Sequence, residues 1–528
     1  MRGYIMFDYD VIIIGSGAGG ATLAQSLAPS GKHILILERG EHLPVEPDNW
    51  NSTAVFVDKK YRTNEQWTDK NGDLFTPNTH YWVGGNTSFY GGALMRFRPS
   101  DFEEVFHAGG ISPAWPISYA DMKPWYERAE TAWEVHGQRG IDPTDDENDP
   151  PYPFPPLTHD PGVVELKTHF EKVGWTPSPL PLGVRRNDDN PNTSLCVRCS
   201  TCGGYPCMKL AKVDARTAAL MPLEQASNVT LLAGYKALKL VTDASGERVT
   251  SVIASGPNGE EEFVGGLFAL AAGAANTAAL MLHSASPGHP KGLANGSDQL
   301  GRNYMFHATS AIISMAPSRF ESAFPKTLCV MDFYHGDTGE DFPYPMGQIQ
   351  MLEYMTGQTL EGQLEGTIPP DLIPDFLSNA IADHMVSFLA MSEDLPEPHN
   401  RVTLDENGGI CLSYTFGDLR AHQRLVHKLE GGLNGFVRHQ RTLFEPNFTI
   451  DQLLPLYGTA HQCGTARMGD DPQTSVVDRH CKSHEIDNLY IVDSSVFVSS
   501  AAVNPTLTIV ANSMRVGAYI LALWSHPA

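Results

Sequence analysis

The chain predicts an α/β fold in which a Rossmann-like domain is joined to a second, mixed-sheet α+β domain. Three observations predict it: a complete βαβ unit near the N-terminus, two later apolar runs that each end at a small-residue turn, and a length of 528 residues. A single core stops growing at roughly 250 to 300 residues, so two domains sharing an interface are expected.

The βαβ unit comes first. Asp10 to Ile14 (DVIII) is short, apolar and β-branched without alternation, as a parallel strand buried on both faces should be. A glycine loop follows, a helix reads from about Gly19 to Leu27, and Pro29 with Gly31 ends it. HILILE then makes a second buried strand closing with Glu38. The later runs, LFALAAGAANT at 267–277 and LYIVDSSVF at 489–497, have the same strand-then-turn character and are expected in the same sheet. Residues 140–160 are too rich in proline and acid for a helix or a central strand and read as an excursion. The expected division is therefore discontinuous. Residues 1–120 open the nucleotide domain, 121–200 form a linker and substrate-side segment, 201–300 return to the nucleotide domain, 301–455 supply the substrate domain, and 456–528 close the nucleotide domain.

Composition excludes several functions. Hydrophobic content of 41% with 19% charged residues is ordinary for a globular enzyme, and no uninterrupted apolar run approaches the ~20 residues of a membrane span. The formal charge of −24 repels a phosphate backbone and argues against nucleic acid. A strand begins almost at once at Tyr9, in place of an export signal, so a cytoplasmic protein is expected.

Gly15, Gly17 and Gly20 form GxGxxG between strand and helix, where missing side chains let the backbone turn tightly and approach a pyrophosphate at the helix N-terminus. Glu38, eighteen residues after Gly20, is placed to accept the ribose hydroxyls. This unit cannot choose among dinucleotides. In TPNTHYWVGGNTSFYGGALMRFRPSDF (76–102), however, Gly84, Gly85, Gly91 and Gly92 bracket a small polar stretch suited to backbone packed on a planar ring, which simple NAD binding does not need.

Here the chain resembles the glucose-methanol-choline (GMC) oxidoreductases, whose second FAD motif has this VGG…YGGA form. GLANGSDQLGRNYMFH (292–307), EDLPEPHNRVTL (393–404) and the stretch 458–519 are also similar to family blocks, and the match is weakest over about 310–390. The resemblance implies the GMC fold with FAD as cofactor, and adds Thr87 and Ala93 to the second motif. It places Ala237 against the adenine, Asp493 near the ribityl chain and pyrophosphate, and Pro505 and Thr506 at the flavin. Relatives that hold the flavin covalently use a histidine where this chain has Phe89, so dissociable FAD is expected; His80 fits that tethering pattern badly.

Oxidising an alcohol needs a base for the hydroxyl proton while the carbon-bound hydrogen leaves as hydride, and a neutral imidazole suits the base role. By resemblance, His461 in GTAHQCGTARMG is that base and Asn504 in VNPTLT its partner, the pairing of sugar-oxidising members such as pyranose oxidase and the FAD sugar dehydrogenases. The expected reaction is oxidation of an alcohol group on a sugar or glycoside, with oxygen or a carrier as electron acceptor. Two other readings are an electron-transfer subunit and an FAD lyase. The first would use CVRCSTCGGYPC, where Cys196, Cys199, Cys202 and Cys207 are spaced closely enough to ligate an iron–sulfur cluster or zinc, although the spacing departs from bacterial ferredoxin.

Overall fold

The computed structural model describes residues 8–337, 342–354, 382–437, 450–458 and 460–525. Its first strand, β1 (Tyr9–Ile14), its first helix, α1 (Ala18–Leu27), and the strand β2 (Ile34–Glu38) form the βαβ unit. Val11 to Ile13 and Ile34 to Ile36 are fully buried, which is why neither strand alternates polar with apolar residues. A 3-10 turn over Ala28–Ser30 and a left-handed Gly31 (φ 73°) stop the helix.

Seven strands make the nucleotide-domain sheet. β2 lies between β1 and Val229–Ala233, all parallel. On the other side of β1 runs the long strand Gly259–Leu270. Its first half pairs antiparallel with Val249–Gly256, and its last residues lie parallel to both β1 and Leu489–Ile491. Both late apolar runs thus end at the same edge as the glycine loop, the carboxyl end where open α/β sheets bind ligands. The helix Thr506–Ser525 has the length and composition of a membrane span, yet over half of it is buried, and it packs on α1 and the helix Tyr119–Ala132. Residues 140–160 form neither helix nor strand.

The second domain has a six-stranded sheet in the order Ile450–Leu453, His307–Met315, Met385–Glu393, Gln348–Met351, Leu328–Val330, Ser178–Pro179. A mixed sheet is expected from the sequence, but every described pairing in this one is antiparallel. An antiparallel sheet can rest one face on helices and leave the other for a different environment. Here Ile312, Ile349 and Phe388 pack on the helices Pro161–Lys172 and Arg420–Gly432. Gln350 and Leu389, one residue out of phase, line a cavity instead. His307, Gln348 and Gln350 share that second face by the two-residue period, which brings three polar side chains to the domain interface. Residues 338–341, 355–381 and 438–449 of the expected substrate domain lie outside the described residues.

Candidate active site

A cavity of about 620 Å³ runs between the two domains, with residues of β1, β2 and α1 at one end and His461 with Asn504 at the other. The glycine turn shapes the first end by close packing. A Cβ on Gly15 (φ 103°) would stand 2.3 Å from the Ala271 carbonyl oxygen, and one on Gly20 would stand 2.0 Å from that of Gly15. Gly17 differs, because its Cβ would meet nothing within 4 Å and would project into the cavity. Glu38 also lines this end, buried and with its carboxyl pushed up by that burial. The Gly40 amide donates to one of its oxygens (2.9 Å), and the Ser16 amide and hydroxyl donate to the other (3.0 and 2.7 Å).

Ser16 also joins the two glycine segments, since its hydroxyl accepts from the Gly84 amide at 3.1 Å. Gly84 (φ 97°) and Gly85 (φ 58°) then open a 3-10 turn over Gly85–Ser88. Thr87 donates to the Gly84 carbonyl (2.7 Å) and accepts from the Ala215 amide (3.0 Å), so its hydroxyl holds the turn together. Gly85, Thr87, Gly91 and Ala93 line the cavity, as do Ala237, Asp493, Pro505 and Thr506, whereas Gly20, Gly84 and Gly92 lie behind the wall. Asp493 is spent on its neighbours: it accepts from the Gly273 amide (2.9 Å), the Thr277 hydroxyl (2.6 Å) and the Ser495 amide (2.8 Å), which lashes two strand-end turns together.

At the far end the candidate catalytic groups, His461 and Asn504, are held by residues that the sequence does not single out. His461 Nδ1 lies 2.9 Å from His307 Nδ1, and His307 Nε2 lies 3.0 Å from the Ser500 carbonyl oxygen. A carbonyl can only accept, so the proton of neutral His307 sits on Nε2 and its Nδ1 is an acceptor. The proton of His461 must then sit on Nδ1. Its Nε2 is left as a lone pair, the form a base requires. Both rings are kept uncharged: burial lowers His307 to about 4, and burial together with the neighbouring His307 lowers His461 to about 3. That is further from neutrality than a base tuned to working pH would be, because His307 is buried, His461 is half-buried beside it, and no carboxylate is bonded to either.

Asn504 is oriented in the same manner. The Gln348 amide nitrogen donates to Asn504 Oδ1 at 3.4 Å, which leaves the Asn504 NH2 to donate elsewhere. A hydroxyl oxygen lying between the two residues would meet a proton acceptor on one side and a hydrogen-bond donor on the other. Replacing His307 tests the relay. His307→Phe is expected to lower kcat about tenfold to a hundredfold with little change in KM, as when other orienting partners of an imidazole are lost. His307→Gln, whose amide oxygen can accept from His461, should recover part of the loss. In the parent enzyme kcat/KM should stay flat through pH 6.5, because an imidazole depressed to about 3 is protonated only far below that. A limb at pH 6.5, or equal damage from Phe and Gln, would contradict the relay.

Two family models described as GMC oxidoreductase match residues 9–309 and 419–513. The chain belongs to the GMC oxidoreductase family. It is 31% identical over 527 residues to 6'''-hydroxyparomomycin C oxidase of Streptomyces lividus, covering 96% of this chain and 90% of that one. Paromamine 6'-oxidase of Streptomyces fradiae is 30% identical over 539 residues, with the same coverage of 96% and 90%. Among solved structures, pyridoxine 4-oxidase from Mesorbium loti superposes with a TM-score of 0.66 at 17% identity, over 98% of this chain and 99% of that one.

GMC oxidoreductases are flavoproteins that act on CH–OH groups and bind FAD. The cavity of this GMC oxidoreductase fits that group. Side chains are missing where a Cβ would fill the space, at Gly17 and at Gly273, each with nothing within 4 Å, and the N-terminus of α1 opens on the same wall. Phe89 is buried and stacks on His80 with ring centroids 3.9 Å apart and planes 13° from parallel.

The cysteine-rich segment is built into the wall of the cavity. Among the described residues, no three His, Cys, Asp or Glu groups are placed to hold a metal ion, and Cys196, Cys199, Cys202 and Cys207 are all free. Burial pushes the Cys196 thiol up to about 11 and raises that of Cys202. What organises the loop is Lys212. Its buried ammonium donates to the carbonyls of Tyr90 (2.8 Å), Cys202 (3.0 Å) and Tyr205 (2.8 Å), pinning the loop onto the second glycine segment. Gly203 and Gly204 thereby become part of the cavity wall.

Proposed function

We propose that this GMC oxidoreductase oxidises a primary or secondary alcohol group of a sugar or glycoside to a carbonyl. The observation that supports it most is one cavity joining the dinucleotide turn to a base and a donor whose polarities are fixed by His307 and Gln348. His461 Nε2 takes the hydroxyl proton, and the Asn504 NH2 holds the oxygen while negative charge grows on it. FAD, when bound, would supply a two-electron acceptor for the hydride that leaves the same carbon, with dioxygen or a carrier as the final oxidant. The Streptomyces relatives are named 6'''-hydroxyparomomycin C oxidase and paromamine 6'-oxidase, which favours a sugar over a simple alcohol.

The test is product analysis by mass after incubation with glucose, glucosamine and a methyl glycoside. A product lighter by two hydrogens supports the reading. A product lighter by water would establish lyase chemistry in its place.

With Phe89 at the tethering position, the FAD is held without a covalent bond. Acid precipitation should therefore leave a colourless pellet and all of the flavin in solution, and a yellow pellet would contradict this.

A further inference from the structure

The cavity has a lobe between the strand Gln348–Met351 and the second glycine segment, and its polar groups are unequally spent. Lys326 is almost wholly buried, and its ammonium is turned into the wall: it donates to the Gly91 carbonyl and to Glu353 Oε1 (3.1 Å). Two of its three hydrogens are thereby committed to the wall. Among the described residues, nothing is bonded to the second carboxylate oxygen of Glu353. Gln350 lines the same lobe, and its amide oxygen is buried with no hydrogen-bond partner among the described residues. An unpaired buried amide is costly unless something completes it, and with nothing holding it the amide can present either its oxygen or its NH2.

The distance from the reacting end follows from the strand. Gln348 touches Asn504 at 3.4 Å, and Gln350 is the next residue on the same face, about 6.8 Å along it. That step is about the span of a six-membered sugar ring. We propose that Gln350 and Glu353 are the specificity-determining residues for the far side of the substrate, which carries a hydroxyl or ammonium donor one ring away from the carbon being oxidised. The inference rests on the sugar-oxidation reading above and adds to it the group that is recognised. Gln350 pairs with a hydroxyl, which both donates and accepts. Glu353 takes a hydroxyl or, more strongly, an ammonium.

The test uses the FAD-loaded enzyme with glucosamine, glucose and cyclohexanol as probes, and the variants Glu353→Gln and Gln350→Met. Binding of each probe is measured by calorimetry under anaerobic conditions with the flavin pre-reduced, and KM and kcat by steady-state turnover. For a sugar, each variant is expected to weaken binding and raise KM by about tenfold to a hundredfold, the loss of one hydrogen bond to a charged group or of a buried partner. kcat should change by less than about threefold, and cyclohexanol should be unaffected. Loss confined to glucosamine in Glu353→Gln identifies the donor as ammonium, and equal loss for glucose identifies it as hydroxyl. Unchanged sugar binding in both variants, or in Gln350→Met alone if Glu353→Gln does not fold, overturns the proposal. If the parent enzyme turns over cyclohexanol and neither sugar, the sugar-oxidation reading itself has failed.

Discussion

His461→Ala is expected to leave the flavin bound and to slow its anaerobic reduction by substrate about a thousandfold, within the range a positioned general base contributes. The size of the effect follows from the isolation of the site. With His461 gone, the hydroxyl proton faces the Asn504 NH2, which can only donate, and His307, whose Nδ1 lies one imidazole further away. Neither replaces a lone pair at the substrate oxygen. The fold should tolerate the change, because His461 is held uncharged and gives up one hydrogen bond, to His307. Unchanged melting temperature and flavin content would confirm that only chemistry is lost. Added imidazole should restore part of the rate by filling the vacated space. A loss below tenfold would remove His461 from the role of base.

The second large effect is expected at Gly17. Its backbone (φ −69°, ψ −167°) is one that any residue adopts, and a Cβ there meets no atom within 4 Å. Gly17→Val should therefore fold normally while placing two methyl groups where the cofactor approaches the start of α1. Close approach of a pyrophosphate to those amides involves several charge-assisted hydrogen bonds of about 1.5–3 kcal/mol each, so losing even one lowers FAD affinity by about a hundredfold. Titration of the apoprotein with FAD, followed by flavin fluorescence, measures it. Gly15→Ala is the contrasting control, since at φ 103° and 2.3 Å from the Ala271 carbonyl oxygen it should damage folding as well. Wild-type affinity in Gly17→Val would mean that the dinucleotide lies elsewhere.

The nucleotide domain was legible because its signals are local. DVIII, the glycine spacing and HILILE fall within thirty residues, and each dictates its own geometry: an apolar run buried on both faces, a turn that only glycine allows, a helix stopped by Pro29 and Gly31. Parts of the candidate site were legible for the same reason, since GTAHQCG and VNPTLT are compact motifs. The residues that orient them were not. His307 is 154 positions from His461, and Gln348 is 156 from Asn504, and nothing in either local segment announces a partner so distant. A polar residue on an alternating strand shows only which face it takes, and HATSAIISM and QIQM carry that information and no more. The pairing direction of the second sheet was hidden likewise, because it depends on how distant strands connect. The cysteines show only their spacing in one dimension. Their spacing suits a metal, but Lys212, five residues past Cys207, ties the loop to Tyr90 and spends it as a wall.

The central claim is that this cavity oxidises a sugar hydroxyl with His461 as base. Its most direct test is anaerobic titration of the purified FAD-loaded enzyme with glucosamine, glucose and a methyl glycoside, alongside cyclohexanol, while the visible flavin band is recorded. Stoichiometric bleaching by at least one sugar, with an equal amount of carbonyl product and no bleaching of His461→Ala on the same timescale, is the result the account predicts. Bleaching by cyclohexanol alone, or equally fast bleaching of the variant, would contradict it.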